Sequence, residues 1–191
     1  MVFIKNKERT TELILNIKKG DLAHAKDLIE NGVVDVNATD NQGMTAMLWA
    51  EMERHTAIAE ILADKGADVN ACNIYGETAL MLGIGRRDME HAKYLIAKGA
   101  KVNAKDNQDM TVLMYDARYN VDTELTKLLA DKGADVNAKD NQGMTALLWA
   151  IGRGDIEHAK YLIAKGANVN ARDNHGMTAL MWAKLQGLSF P

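Results

Sequence analysis

The side chains best placed for chemistry are three histidines, His24, His91 and His158, each three residues after an acid, Asp21, Asp88 and Asp155. An imidazole one helical turn from a carboxylate is the raw material of a general acid–base pair, and three imidazoles in one register would suit a metal ion. The spacing argues against both. Ile58 and Leu125 stand in the same register between the histidines, so the position belongs to a repeated packing element. Packed helices lie roughly 8–10 Å apart, which puts rings on alternate elements about 20 Å apart, whereas metal–nitrogen bonds are about 2 Å. The aspartates are expected to cap helices instead. A catalytic site needs one arrangement rather than three copies, so no catalytic residue, metal or cofactor is expected and the chain reads as non-enzymatic.

Two other features fail as chemistry. Cys72 is the single cysteine, which forbids an internal disulfide and fits a reducing compartment. It reads as inert, because Lys105, Lys139 and Arg172 take its place elsewhere and no histidine lies nearby in sequence. The stretch GIGRRD from Gly83 contains GxG but follows no strand, so it is not a phosphate loop. A net charge of −3 gives no basic face for nucleic acid. Neither a signal peptide's apolar region nor a membrane-length run is present. A cytoplasmic protein is expected, with no nucleic-acid or membrane partner.

The elements that carry these residues repeat. Asn37, Asn70, Asn103, Asn137 and Asn170 each stand in a VNA triplet, with spacings of 33, 33, 34 and 33 residues. A period near 33 means stacked units. Gly43, Gly76, Gly143 and Gly176 hold one turn position, which Asp109 takes in the middle unit, and the extra residue falls around Asn120. A slower rhythm of 67 residues shows that a two-repeat block was copied: EILADKGADVNA answers KLLADKGADVNA, and RDMEHAKYLIAKGA answers GDIEHAKYLIAKGA. Each unit reads as turn, helix, tight turn, helix, loop. In the best copy Thr145 caps ALLWAI, Gly152 and Gly154 end that helix, Asp155 caps the second, and Gly166 ends it. A helix pair this small cannot bury its apolar stripe alone, so the units must stack.

Five copies, TAMLWA at Thr45, TALMLG at Thr78, TVLMYDA at Thr111, TALLWA at Thr145 and TALMWA at Thr178, all but the last followed by a GADVNA-like closure, resemble the ankyrin repeat family. The resemblance covers nearly the whole chain and implies an all-α solenoid of helix-turn-helix units. Its expected units are about 7–39, 40–72, 73–105, 106–139, 140–172 and a partial 173–191, in one domain over 1–191. The family's proline is replaced by Ala46, Ala79, Val112, Ala146 and Ala179, and its histidine by Leu48, Met81, Met114, Leu148 and Met181. Without that histidine's bond the turns are expected to be looser. Trp49, Leu82, Tyr115, Trp149 and Trp182 share one column, which reads as inter-repeat packing rather than a base-stacking platform. The first unit, with Lys18, Lys19, Lys26, Asp27 and Glu30, suits a polar cap. After Trp182 no second helix follows, so Met181, Trp182 and Leu185 are expected to lie open or under the GLSFP tail.

The resemblance also implies a function, the non-covalent binding of a partner protein by turn tips and first helices along a concave face. Carried over, it gives Met44, Met52, Tyr75, Arg86, Met110, Arg118, Tyr119, Met144, Arg153 and Met177 as contact residues. Methionine adapts to apolar partners, and tyrosine and arginine are enriched in hot spots, so the partner is expected to offer apolar and acidic groups. Two alternatives stand beside it. Asn70, Asn103, Asn137 and Asn170, each with a leucine eight residues earlier, are similar to substrate sites of an asparaginyl hydroxylase. The chain is expected to be a monomer, but the open C-terminal end would also serve self-association, as a homodimer or longer stack.

Overall fold

Five threonines start the first helices of the repeats. The hydroxyls of Thr45, Thr145 and Thr178 accept the amides of Leu48, Leu148 and Met181 three residues on, and Thr78 and Thr111 do the same for Met81 and Met114. Each satisfies an amide that has no partner inside its helix, and each is followed by helix-favouring alanine or by Val112. The computed structural model describes residues 2–31, 34–84, 89–119 and 123–189, with side chains from residue 8 onward. Arg86, Asp88 and the insertion at Asn120 lie outside the described residues.

The chain packs as two compact units, Met1–Gly83 with Glu90–Ala100 and Ile84–Met89 with Lys101–Pro191. In chain order the first six helices are α1 (Val2–Lys19), α2 (Leu22–Glu30), α3 (Ala46–Met52), α4 (Thr56–Asp64), α5 (Ala79–Ile84) and α6 (Met89–Ala97). They are followed by α7 (Val112–Tyr119), α8 (Thr123–Asp131), α9 (Ala146–Gly152), α10 (Ile156–Ala164) and α11 (Ala179–Leu185). No strand occurs among the described residues, only isolated bridges that pinch the turns, such as Thr39 to Thr45 and Lys105 to Thr111. The fold is all-α, in paired helix-turn-helix units.

Second helices begin and end as their sequences dictate. Asp21 accepts the amide of His24, and Asp155 that of His158, so these acids are caps, as expected. At the far end Gly66, Gly99, Gly133 and Gly166 take positive φ, and the alanine after each glycine donates to the carbonyl five residues back, as Ala67 does to Leu62 at 2.9 Å. That bond closes the last turn and needs a residue free to adopt the left-handed region. It also turns the chain into the loop that carries the VNA triplet.

Within each unit the core is a ladder of side chains from both helices. Leu48, Leu62, Leu80 and Leu95 are buried in the first unit, and Leu113, Leu129, Leu148 and Leu162 in the second. The four leucines eight residues before a VNA asparagine, Leu62, Leu95, Leu129 and Leu162, are all in this set. Truncating such a residue to alanine typically costs about 2–5 kcal/mol, so the ladder accounts for much of the stability of a short helix pair. None of the described helices is long and apolar enough to cross a membrane.

Candidate protein-binding surface

The turn ahead of each first helix is built on one side chain. Asp40 accepts the amides of Gln42 and Met44 through Oδ1, at 2.9 and 3.0 Å, and its Oδ2 accepts the indole Nε1–H of Trp49 at 2.8 Å. Asp140 repeats this with Trp149 at 3.0 Å, Asp173 with Trp182 at 2.9 Å, and Asp106 with the Tyr115 hydroxyl at 2.8 Å. In the remaining repeat the ring is replaced by Leu82, and the acid by Asn73, whose Nδ2 turns to Glu77 at 2.8 Å instead. Burial alone would push the Asp40 and Asp173 carboxyls up. The indole and amide bonds outweigh it and hold both below the usual carboxylate range, with the Lys18 charge adding at Asp40.

This brace corrects the expectation of looser turns. The bond expected from a histidine is supplied from the other end of the first helix by an aromatic donor, so the turn is pinned. It also explains the aromatic column, since the donor edge of each ring is committed to an aspartate. The signal was in the sequence, since an acid stands nine residues before every ring that carries a donor, and an asparagine before the leucine.

The same turns correct part of the expected contact row. Met44, Met110 and Met144 are 2%, 2% and 6% exposed, and Met177 is half-buried. The residue before the capping threonine closes the turn with its own backbone, accepting from Asp40, Asp106, Asp140 or Asp173 at 3.0–3.1 Å, and its side chain turns inward. Met110 even lies beneath Arg118, whose Nη1 is 3.4 Å from its Sδ. The three buried methionines therefore cannot serve as surface contacts. Met52, Tyr75 and Tyr119 are 46%, 62% and 51% exposed, Arg153 is exposed and Arg118 partly so. Arg86 lies outside the described residues.

In the first unit, Trp49 of α3 is buried beneath the Lys18 ammonium, 3.9 Å from its ring centre, and Met52 one turn further on is exposed. In the second unit, α9 presents Trp149 with the Arg118 guanidinium at 4.8 Å. Arg118 also reaches the Tyr119 ring at 5.7 Å, and Tyr119 packs on Tyr115 at 5.9 Å. A cation on the face of a ring whose N–H feeds a carboxylate is doubly favoured, because the ring face is the negative pole of its quadrupole.

The histidine column turns out more polar than packing alone would need. His91 is buried with its Nε2 2.6 Å from Oε1 of the fully buried Glu51, and its Nδ1 3.6 Å from Glu60. His158 is buried with Nε2 2.7 Å from the Thr126 hydroxyl, which in turn donates to the buried Asp116 at 2.5 Å. Because Thr126 gives its one proton to Asp116, it accepts from His158, and Nε2 is the protonated nitrogen. His24 is exposed and meets only Glu12, at 3.1 Å. No group that could hold a metal occurs among the described residues. These bonds tie a first helix to the second helix of the following repeat; Glu51, Asp116 and Thr126 were not singled out from sequence.

The VNA asparagines brace the loops. Asn37, Asn103 and Asn137 each accept an amide of the next repeat, at 2.7, 2.8 and 2.7 Å, while their Nδ2 atoms, and that of Asn70, donate to a glycine carbonyl there. Cys72 is exposed. On α11 Met181 and Leu185, two of the three residues expected open or under the tail, are exposed, the third, Trp182, is half-buried, and Leu180, not expected, is exposed as well.

Comparison with known proteins agrees with this architecture. A family model for ankyrin repeats in three copies matches residues 13–106, 68–140 and 113–189. The chain belongs to the ankyrin repeat family. Among curated proteins, palmitoyltransferase akr1 of Schizosaccharomyces pombe is 40% identical over 55 residues, which is 29% of this chain and 9% of that protein. The match thus spans a small part of that relative, and the transferase activity in its name is that protein's.

Proposed function

We propose that the chain is a binding module without a reaction of its own, holding a partner protein by the turn tips and first helices. The observation that carries this is the set of large side chains left open on that surface, Met52, Tyr75, Tyr119 and Arg153, on elements otherwise packed down to buried methionines. Exposed tyrosine, methionine and arginine on the turn tips and at the ends of first helices are the chemistry of interface hot spots. Membership in a family of repeats that generally mediate protein–protein contacts points the same way.

The test is a pull-down from source-cell lysate, read by mass spectrometry, with wild type, Met52→Ala/Tyr75→Ala and Tyr119→Ala/Arg153→Glu. All three are first shown to unfold at the same temperature. A protein retained by wild type and lost by either double variant supports the reading; equal retention by all three sinks it. Self-association is a second reading, supported by Leu185 at 72% exposure beside Leu180 and Met181 on α11. Light scattering across concentration, with Leu185→Lys as control, separates it from a monomeric binder.

A further inference from the structure

We propose that the second unit carries a side-chain socket at Gly152 that takes an aspartate or glutamate of a protein segment, with an apolar neighbour of that acid lying on Leu185. The inference rests on the protein-binding reading above and names the chemistry of the partner. α9 packs between α7 and α11, and the three helices present matched triplets at i, i+3 and i+4. On α7 these are Tyr115, Arg118 and Tyr119; on α11, Trp182 and Leu185, with Gln186 at its C-cap. On α9 the middle place, one turn after Trp149, is glycine. A Cβ built there would meet nothing within 4 Å, so between the side chains of α7 and α11 the middle place is open. In the first unit the corresponding residue is Met52, which fills the place.

The rim is fixed and it is positive. Arg118 stands over Trp149 at 4.8 Å on one side, and on the other Gln186 donates to the Gly152 carbonyl at 3.2 Å. Arg153 follows Gly152 directly. Neither arginine pairs with a carboxylate among the described residues, and the carboxylates that touch the array, Asp106, Asp140 and Asp173, are taken up by the donors of Tyr115, Trp149 and Trp182. Two guanidinium groups without a carboxylate partner beside an empty side-chain place, on a chain of net charge −3, call for an incoming carboxylate. Stacking on Trp149 and Tyr119 holds the Arg118 fork in place, so little ordering entropy opposes a bidentate bond. Leu185, exposed beside the gap, offers the apolar contact.

The probe is a phage-displayed library of random peptides of about twelve residues, long enough to cross three helices. It is selected on the whole chain, and the leading peptide is then measured by calorimetry. The expected result is enrichment of Asp or Glu next to an aliphatic or aromatic residue. Binding should weaken about tenfold or more in Arg118→Gln and in Gly152→Met, stay within about twofold in Leu15→Ala, an exposed side chain of α1, and fall as salt rises. Gly152→Met is the decisive variant, since its backbone is helical and open space lies above it, so the fold is not at stake. Enriched peptides that are neutral or basic, or that bind both second-unit variants as well as wild type, overturn the socket and leave the protein-binding reading intact. A selection that yields no binding peptide overturns both.

Discussion

The aspartate–indole brace makes a prediction that only two atoms decide. In Asp140→Asn, Oδ1 can still accept from Gln142 and Met144, but the second carboxylate oxygen becomes an amide that faces the Trp149 N–H, donor against donor. A buried donor left without an acceptor costs about 1–3 kcal/mol. The same Asn in a Trp149→Leu background meets no donor, and the pair then matches Asn73 with Leu82. Urea unfolding of the four proteins should therefore give a coupling energy of about 1 kcal/mol or more; additivity to within about 0.3 kcal/mol would mean the bond contributes nothing specific. For Asp40 and Asp173, whose carboxyls are held low, the sign of linkage is fixed. Their contribution is present above the usual carboxylate value of about 4 and is lost as pH falls through the lowered values. The brace was legible, because the chain carries its own comparison between repeats; the burial of Met44, Met110 and Met144 was not. A turn residue's side-chain direction depends on how the turn closes, and composition says only that methionine suits either side.

Between elements, the two buried histidines titrate in opposite senses. Burial pulls His91 down, but the bonds and charges of Glu51 and Glu60 outweigh it, and the ring stays protonated above its ordinary 6.5. For His158 burial prevails over the charge of Asp155, and the ring is neutral below that value. The stability His91 contributes is thus fully present below about pH 6.5 and lost as pH rises through its raised value; that of His158 is present above about 6.5 and lost as pH falls through its lowered one. Ring-proton NMR should place the His91 midpoint above the ordinary imidazole value of about 6.5 and the His158 midpoint below it. The reverse order would mean that burial of His91 outweighs its bonds to Glu51 and Glu60. The column was visible in the sequence, but its partners were not, because Glu51 and Asp116 occupy different registers of the first helix. Only the packing of one helix on another brings each to its histidine. A second consequence lies at the turn tips. Asp109 takes φ 60° where the other copies use glycine, so Asp109→Gly should raise stability by up to about 1 kcal/mol in the same urea assay.

At the scale of the whole molecule, the 67-residue rhythm has a physical reading. Within the first unit Lys98 pairs with Asp64 at 2.7 Å, and the Tyr94 hydroxyl donates to the same carboxylate at 2.8 Å. Within the second, Lys165 pairs with Asp131 at 3.2 Å. Acceptor helix and donor helix come from successive repeats, so a block of two repeats is the smallest piece that keeps the pair. Exposed pairs of this kind contribute little, about 0–1 kcal/mol; the leucine ladder of each unit stabilises it far more. Repeats are stabilised mainly by their immediate neighbours, and here packing is densest inside each of two units. A core defect should therefore be felt unit by unit. Leu162→Ala, at a site with no exposure, should cost about 2–5 kcal/mol. Native-state hydrogen exchange should then show protection lost across α9, α10 and α11 while α3 and α4 keep theirs; Leu62→Ala should give the mirror image. A loss shared equally by both units in either variant would mean that the chain unfolds as one cooperative body, and the division into two units would have no energetic counterpart.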